Sequence, residues 1–389
     1  MKKYDYIIAG GGCAGLSLTH YLLQNPATAQ KKILIVEQDA KEKNDRTWCF
    51  WEAGNQNWYE TLVAKTWKDL IFFGEKLEKK LNIAPYSYKM IRAIDFYNHF
   101  KKNIPNHANV TYKTAGIAQM YEKNGLCYLH TADQEQFVAQ YIFSSVRGTD
   151  EETNLKKPKD IWYLQHFKGW IVETEQDFFR EEQAFFMDFR PEQAEREARF
   201  GYVLPETKRR ALVEYTVFSD AIWAQNDYDL ALKKYIETTL NLTEYKILHE
   251  EFGVIPMTDS KFAPKEKSNI LPIGTAGGYS KPSTGYTFVR IQQFCSQLAQ
   301  RIAQGKSIHF EAGRQPFLLY DSIFLDVFDK NRCAPKEVFT SLFKKNEAEL
   351  VLRFLDEKTT LLQNLKIMLS VPILPFTQAA LSQIAHKIG

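Results

Sequence analysis

Two kinds of residue in this sequence can do chemistry. The first is a run of small ones, Gly10-Gly11-Gly12-Cys13-Ala14-Gly15, which fits GxGxxG. In that pattern Gly10 permits a tight turn, Gly12 lets the backbone approach a pyrophosphate, and Gly15 lets a helix pack closely on a strand. Amides at the helix N-terminus then bind phosphate oxygens. Glu37, at the end of the next apolar run, can accept hydrogen bonds from ribose hydroxyls. The second kind is the isolated carboxylate. Across 210–218 a period of two puts Ala211, Val213, Tyr215 and Val217 on one face, and Leu212, Glu214, Thr216 and Phe218 on the other. A carboxylate at Glu214 is exposed, or paired with Arg209 or Arg210, or neutral because desolvation raises its pKa. In the last state it is a general acid. Asp188, in FFMDFR, poses the same choice beside Arg190.

The elements that must position these residues follow from the apolar patterning. Residues 4–9 and 32–37 read as buried parallel strands, with a helix over 14–23 between them, making one βαβ unit. A further strand is expected over 137–144. Between 162 and 219, four aromatic-rich runs at 169–174, 184–190, 199–204 and 210–218 suggest an antiparallel sheet. Residues 220–248 read as helical, 269–273 as a strand entering a glycine-rich turn, and 287–305 as a helix. The expected class is α/β: a discontinuous Rossmann-like domain (1–160 plus 250–305), an antiparallel-sheet substrate lobe (161–249) and a helical C-terminal region (306–389).

Composition removes several alternatives. Lys and Arg number 50 against 47 Asp and Glu, which leaves no basic footprint for nucleic acid. The five cysteines are scattered without CxxC or metal-ligand spacing, so no metal is expected and a reducing, cytoplasmic setting is. No HExxH, GxSxG or Walker loop is present. No apolar run reaches the roughly 18 residues a membrane span needs.

The segment 269–290, NILPIGTAGGYSKPSTGYTFVR, is similar to the second flavin-contact segment of the glutathione-reductase and hydroxylase-like flavoproteins. That likeness implies FAD rather than NAD. It adds Gly274, Thr275, Gly277, Gly285 and Tyr286 to the cofactor contacts expected of Gly10, Gly12, Cys13, Ala14, Gly15 and Glu37. Thr275 stands where those flavoproteins usually carry Asp.

Along nearly its whole length the chain resembles the bacterial, flavin-dependent lycopene β-cyclases. Arg46-Thr47-Trp48-Cys49-Phe50-Trp51 is similar to their TWSF-like segment, and Gln165-His166-Phe167-Lys168-Gly169-Trp170 to their QxFxGW stretch. Phe186-Met187-Asp188, Gly201-Tyr202-Val203-Leu204-Pro205, Leu212-Val213-Glu214-Tyr215-Thr216 and Gly253-Val254-Ile255-Pro256-Met257 follow their motifs in order. GGYSKPSTGY at 277–286 resembles their AGxxxPxTGY turn, and the family does not keep the Asp that Thr275 replaces.

The resemblance implies a non-redox isomerisation. An acid protonates a ψ end group of lycopene, the cation cyclises, and proton loss leaves a β-ionone ring, giving γ- and β-carotene. Glu214 is implied as the proton donor, with Asp188 orienting it or sharing in proton transfer. Reduced FAD is implied as a charge-stabilising cofactor, with NAD(P)H as reductant. A membrane-dissolved polyene implies peripheral attachment to a lipid surface, for which 342–345 and 361–376 offer apolar and basic residues. The alternative is an FAD-dependent oxidoreductase, such as a polyene reductase or an aromatic hydroxylase.

Overall fold

The glycine turn follows the central strand of an all-parallel five-stranded sheet, ordered Ile270–Pro272, Tyr141–Ser144, Tyr6–Ala9, Ile33–Glu37 and Val110–Thr114. The structure, a computed structural model, describes residues 1–146, 160–260, 262, 268–310 and 315–388, without the side chains of 315 and 386–388. Every residue of Tyr6–Ala9 and Ile33–Glu37 is buried. Their unbroken apolar runs are what a parallel strand covered on both faces requires. The chain forms two compact units, and this sheet belongs to the first: Met1–Asn44, Ala93–Asp160 and Ser260–Gly313.

Within the first unit, the helices Cys13–Gln24 and Phe288–Ala303 pack together. Gln292 Nε2 donates to Ser17 Oγ at 2.7 Å across that contact. The expected strand over 137–144 is two strands in different sheets. Gln136–Ala139 joins a four-stranded sheet with Lys2–Lys3, Leu126–Thr131 and Ile117–Lys123, whereas Tyr141–Ser144 enters the parallel sheet. Phe137, Ala139, Cys127 and Leu129 share one apolar core with Ile7, Leu34 and Ile142.

The second unit comprises Asp45–Arg92, Ile161–Asp259 and Arg314–Gly389. Its main sheet has seven strands, ordered Lys246–Thr258, Trp162–Glu173, Arg210–Ser219, Ala198–Pro205, Gln183–Asp188, Asp69–Gly74 and Leu77–Asn82. All neighbours are antiparallel except Gln183–Asp188 with Asp69–Gly74. The four expected aromatic-rich runs are four of these strands. The expected boundaries differ from the observed ones: 45–92 and 250–259 were assigned to the Rossmann-like domain, yet their strands pair in the second unit. The cause is non-local, since strand amides must find partners and those of 69–74 find them more than a hundred residues downstream. Helix also stops short of 248. It covers Gln225–Lys234 and a π turn to Thr239, and Lys246–Thr258 is an edge strand. Helices Gln315–Asp329, Pro335–Lys345, Ala348–Leu355, Leu361–Met368 and Ile373–Ile388 complete the unit, as the C-terminal periodicity predicts.

The two faces of the seven-stranded sheet differ in kind. On one, Trp170, Val172, Val213, Tyr215 and Val217 meet Leu232, Tyr235 and Ile236 of the helical segment in an apolar core. The other face carries Glu214.

Candidate active site

The nucleotide-type turn is built as its spacing predicts. Gly10 adopts φ +105°, and a Cβ there would lie 2.1 Å from Ser145 Oγ. At Gly15 a Cβ would lie 2.1 Å from the Gly10 carbonyl oxygen, so the close packing of helix on strand excludes any side chain. Gly12 is the opposite case: among the described residues nothing stands within 4 Å of its Cβ position. It caps the helix Cys13–Gln24 with no side-chain hydrogen bond and no acid in the first turn. An open approach to the positive end of a helix fits a pyrophosphate. Glu37 is buried beside this turn. Its Oε2 accepts the Gly11 amide at 2.7 Å and its Oε1 the Asp39 amide at 2.9 Å, which fixes the carboxylate at the strand end.

The second glycine segment reaches the same place. Gly274 (φ +63°) has its Cβ position 2.8 Å from the Ala14 methyl. Thr275 begins the turn after it and is exposed. Gly277 turns tightly against the Pro272 carbonyl, 2.5 Å from its Cβ position. Gly285 (φ +71°) and Tyr286 belong to a loop closed by the Lys281 amide on the Tyr286 carbonyl at 3.0 Å.

In the second unit, Glu214 stands opposite Gly169 on one side and Tyr202 on the other. Gly169 is itself opposite Glu251. Cross-strand partners project to the same face, so Glu251, Gly169, Glu214 and Tyr202 form one row across four strands. A Cβ on Gly169 would lie 2.9 Å from Leu212 Cδ1 and 3.2 Å from Glu251 Cγ. The missing side chain thus gives Leu212 and Glu251 room beside Glu214, and the Glu251 charge acts on Glu214. Thr216 donates to Glu214 Oε1 at 2.8 Å, and Thr47 donates to Glu251 Oε2 at 2.7 Å. Glu251 Oε1 is buried with no hydrogen-bond partner among the described residues. Aromatic rings continue the row: Tyr202 meets Phe186 edge-on at 6.1 Å, and Phe186 meets Tyr88 at 5.4 Å.

Burial pushes the Glu214 carboxyl up to about 8; repulsion from Glu251 adds to the shift, and the Thr216 hydrogen bond opposes it. Burial pushes Glu251 up to about 7, against the Thr47 hydrogen bond and the charges of His249 and Arg46. Cys49 shares this environment: burial, Glu214 and Glu251 hold its thiol well above the usual range. Neither Arg209 nor Arg210 neutralises Glu214, since they pair with Asp177 and Glu173. Of the readings open in the sequence, the pairing with Arg209 or Arg210 is the one this geometry removes.

Asp188 has a different role from the expected one. It is fully buried, but Arg190 Nε donates to both its oxygens at 2.9 Å, and the Tyr235 hydroxyl donates to Oδ2 at 2.7 Å. Its strand partner Gly201 pairs in turn with Tyr215. Asp188 therefore lies on the helix-covered face, away from Glu214, and cannot orient it. A bulge with Met187 at φ 60° turns it there. The residue that sequence reasoning missed is Glu251. Its signal was the alternation of Glu251, Gly253 and Ile255 in 246–258, obscured by starting a new domain at 250.

The profile described as lycopene cyclase protein matches residues 5–381. The chain belongs to the lycopene cyclase family. No curated protein matches it in sequence. Among solved structures, this family member is similar to a geranylgeranyl bacteriochlorophyll reductase-like protein from Thermoplasma acidophilum, at 15% identity over 99% of this chain and 96% of that one, with a TM-score of 0.59. A flavoprotein/dehydrogenase from Cytophaga hutchinsonii is 12% identical over 99% and 100%, with a TM-score of 0.63. A p-nitrophenol 4-monooxygenase from Pseudomonas putida is 12% identical over 94% and 99%, with a TM-score of 0.61. These likenesses establish the fold: a Rossmann-like unit of the flavoprotein reductase and hydroxylase type, with a sheet-based unit and C-terminal helices.

A raised carboxyl pKa has a signed consequence for stability. Between about 4.5 and 8, folded Glu214 holds a proton that the unfolded chain releases, so its contribution to stability falls as pH rises through that window. Glu214→Gln removes this penalty. Thermal unfolding is expected to show the variant equal to wild type near pH 5 and more stable above pH 8, by a few kcal/mol.

Proposed function

We propose that this protein is a lycopene β-cyclase that converts the ψ end groups of lycopene into β-ionone rings, by way of γ-carotene to β-carotene. The observation that carries the proposal is Glu214, placed in one cross-strand row with Glu251 and Tyr202 on a sheet face lined by apolar and aromatic side chains. FAD is the proposed cofactor, held by Gly10, Gly12, Cys13, Ala14, Gly15 and Glu37 together with Gly274, Thr275, Gly277, Gly285 and Tyr286. The open Cβ position of Gly12 and the uncapped helix start support that assignment. When bound and reduced, with NAD(P)H as the source of electrons, FAD supplies negative charge that favours a cationic transition state and contributes no net electrons to the product.

The chain's own residues account for the proton chemistry. Glu214 donates its proton to the terminal double bond, leaving a tertiary cation that the neighbouring alkene attacks. The Thr216 hydroxyl, already aimed at Glu214 Oε1, stabilises the carboxylate left behind. The surrounding rings of Tyr88, Phe186 and Tyr202 offer π faces to the cation and exclude water that would quench it. A redox reading draws on the reductase and monooxygenase names among the fold relatives. Product mass separates the two, because cyclisation leaves it unchanged.

Access to a membrane-dissolved polyene is proposed to run through the C-terminal helices, making the protein a cytoplasmic, peripherally attached enzyme. No helix among the described residues is long and apolar enough to cross a membrane. Yet Leu361, Leu362, Leu369, Ile373, Leu374 and Leu381 are each more than half exposed, beside exposed Lys366. Leu342 and Phe343, the other expected contact, are buried. Exposed apolar side chains at this density along the chain fit a lipid interface.

Three outcomes test the proposal. In a lycopene-accumulating host, Glu214→Gln is expected to lose at least ~100-fold in cyclisation while retaining FAD; normal β-carotene from this variant removes the mechanism. Among the described residues nothing stands within 4 Å of the Gly12 Cβ position, so Gly12→Val should melt like wild type yet purify without flavin absorbance. In vesicle flotation, replacing Leu361, Leu362 and Leu374 by Ser should weaken binding at least tenfold, each buried leucine contributing ~1.5–3 kcal/mol.

A further inference from the structure

β-Ring formation takes one proton in and one proton out, and Glu214 accounts only for the first. A group that receives the second must offer an oxygen without competing partners on the same face as the donor. Glu251 meets these conditions. It is only 4% exposed, and it stands in the row of Glu214, with Gly169 between them. The Cβ position of Gly169 is 3.6 Å from Glu251 Oε1, so that oxygen borders the space the glycine leaves open. Thr47 holds the other oxygen, while Oε1 is buried and unpaired among the described residues. An unsatisfied buried carboxylate oxygen is costly, and such atoms in native folds call for a functional explanation.

We propose that Glu251 is the proton acceptor of the cyclisation, taking the proton that leaves the ring carbon when the β double bond forms. This rests on the reading of the protein as a lycopene β-cyclase. In the first step the Glu214 O–H bond breaks and a C–H bond forms at the terminal alkene. The electron pair of the neighbouring double bond then forms the ring C–C bond and moves the cation into the ring. Finally a ring C–H bond breaks, its electron pair becomes the ring double bond, and the proton passes to Glu251 Oε1. No electrons are gained or lost. One proton has moved from Glu214 to Glu251, and its return across the Gly169 gap resets the pair.

Other groups on this face are less suited. Cys49, its thiol well above the usual range, stays protonated. Asp188 is ion-paired on the opposite face. The charges acting on Glu251 are His249 and Arg46, which favour its anion, and Asp45, which opposes it. At Glu214 burial and the Glu251 charge both favour the neutral form, whereas at Glu251 the Thr47 hydrogen bond and the charges of His249 and Arg46 favour the anion, which puts the proton on the donor first. Environments that separate two carboxyl groups in this sense define an acid and a base.

The test uses the full-length protein with reduced FAD and lycopene in phosphatidylcholine vesicles, read by chromatography and mass across pH 5–9. If wild type forms no rings, the reading of function and this inference fall together. If it does, Glu251→Gln is expected to lose β-ring formation at least ~100-fold at every pH while keeping wild-type FAD content. If Glu251 acts only by raising the pKa of Glu214, the variant recovers the wild-type rate at lower pH. That recovery, or an unchanged rate, overturns the inference and leaves the cyclase assignment intact. Should Glu251→Gln fail to hold FAD, Glu251→Asp replaces it. Withdrawing the carboxylate by one methylene is expected to slow β-ring formation on the order of 10–100-fold, and a wild-type rate overturns the inference.

Discussion

The site depends on the absence of one side chain. Trp162–Glu173 runs between the strands that carry Glu214 and Glu251, and the residue facing both is Gly169. Any larger residue would strike Leu212 and fill the space between the carboxyl groups. With glycine there, two acids share a buried face on which neither has a basic side chain as hydrogen-bond partner, and desolvation raises both pKa values. Two carboxyl groups in this state cost stability at neutral pH. The apolar core on the opposite face of the same sheet, where Trp170, Val213, Tyr215 and Tyr235 meet, offsets that cost.

The same alternation sorts each motif into structural and chemical halves. In the segment 165–170, His166, Lys168 and Trp170 pair with Val217, Tyr215 and Val213 on the helix-covered face, whereas Phe167 and Gly169 turn toward the acids. His166 is satisfied there, its Nε2 2.7 Å from Ser219 Oγ. Gly253 accommodates the Phe167 ring, which would lie 2.3 Å from a Cβ. Asp188 and Glu214 have similar sequence surroundings, an acid among aromatics, and end in opposite roles. Arg190 and Tyr235 make Asp188 a buried anchor joining strand to helix, while Glu214 meets no base.

A fold shared with reductases and monooxygenases does not carry their chemistry with it. Unit one keeps a phosphate-accepting turn of the dinucleotide type. Unit two sets Glu214 and Glu251 on one face of its main sheet, the pair to which proton handling is proposed. This combination supports acid–base work on an apolar substrate. It also gives a physical sense to the density of aromatic residues, 27 Phe and 20 Tyr, many of which form the lining and backing of the acid face.

Local sequence was sufficient wherever a feature depends on near neighbours. The glycine turn, the βαβ unit, the four aromatic strands and the face on which Glu214 projects all follow from spacing and period two. Whole-chain motif order was enough for the family. Tertiary structure alone decided the rest, because strand pairing is non-local. It set 69–74 beside a strand more than a hundred residues away, split 137–144 between two sheets, and laid Gly274 on Ala14. A β-bulge at Met187 turned Asp188 from the site. Glu251 became visible only when register placed it across Gly169 from Glu214, since the burial that shifts its carboxyl comes from neighbours its own sequence context does not name.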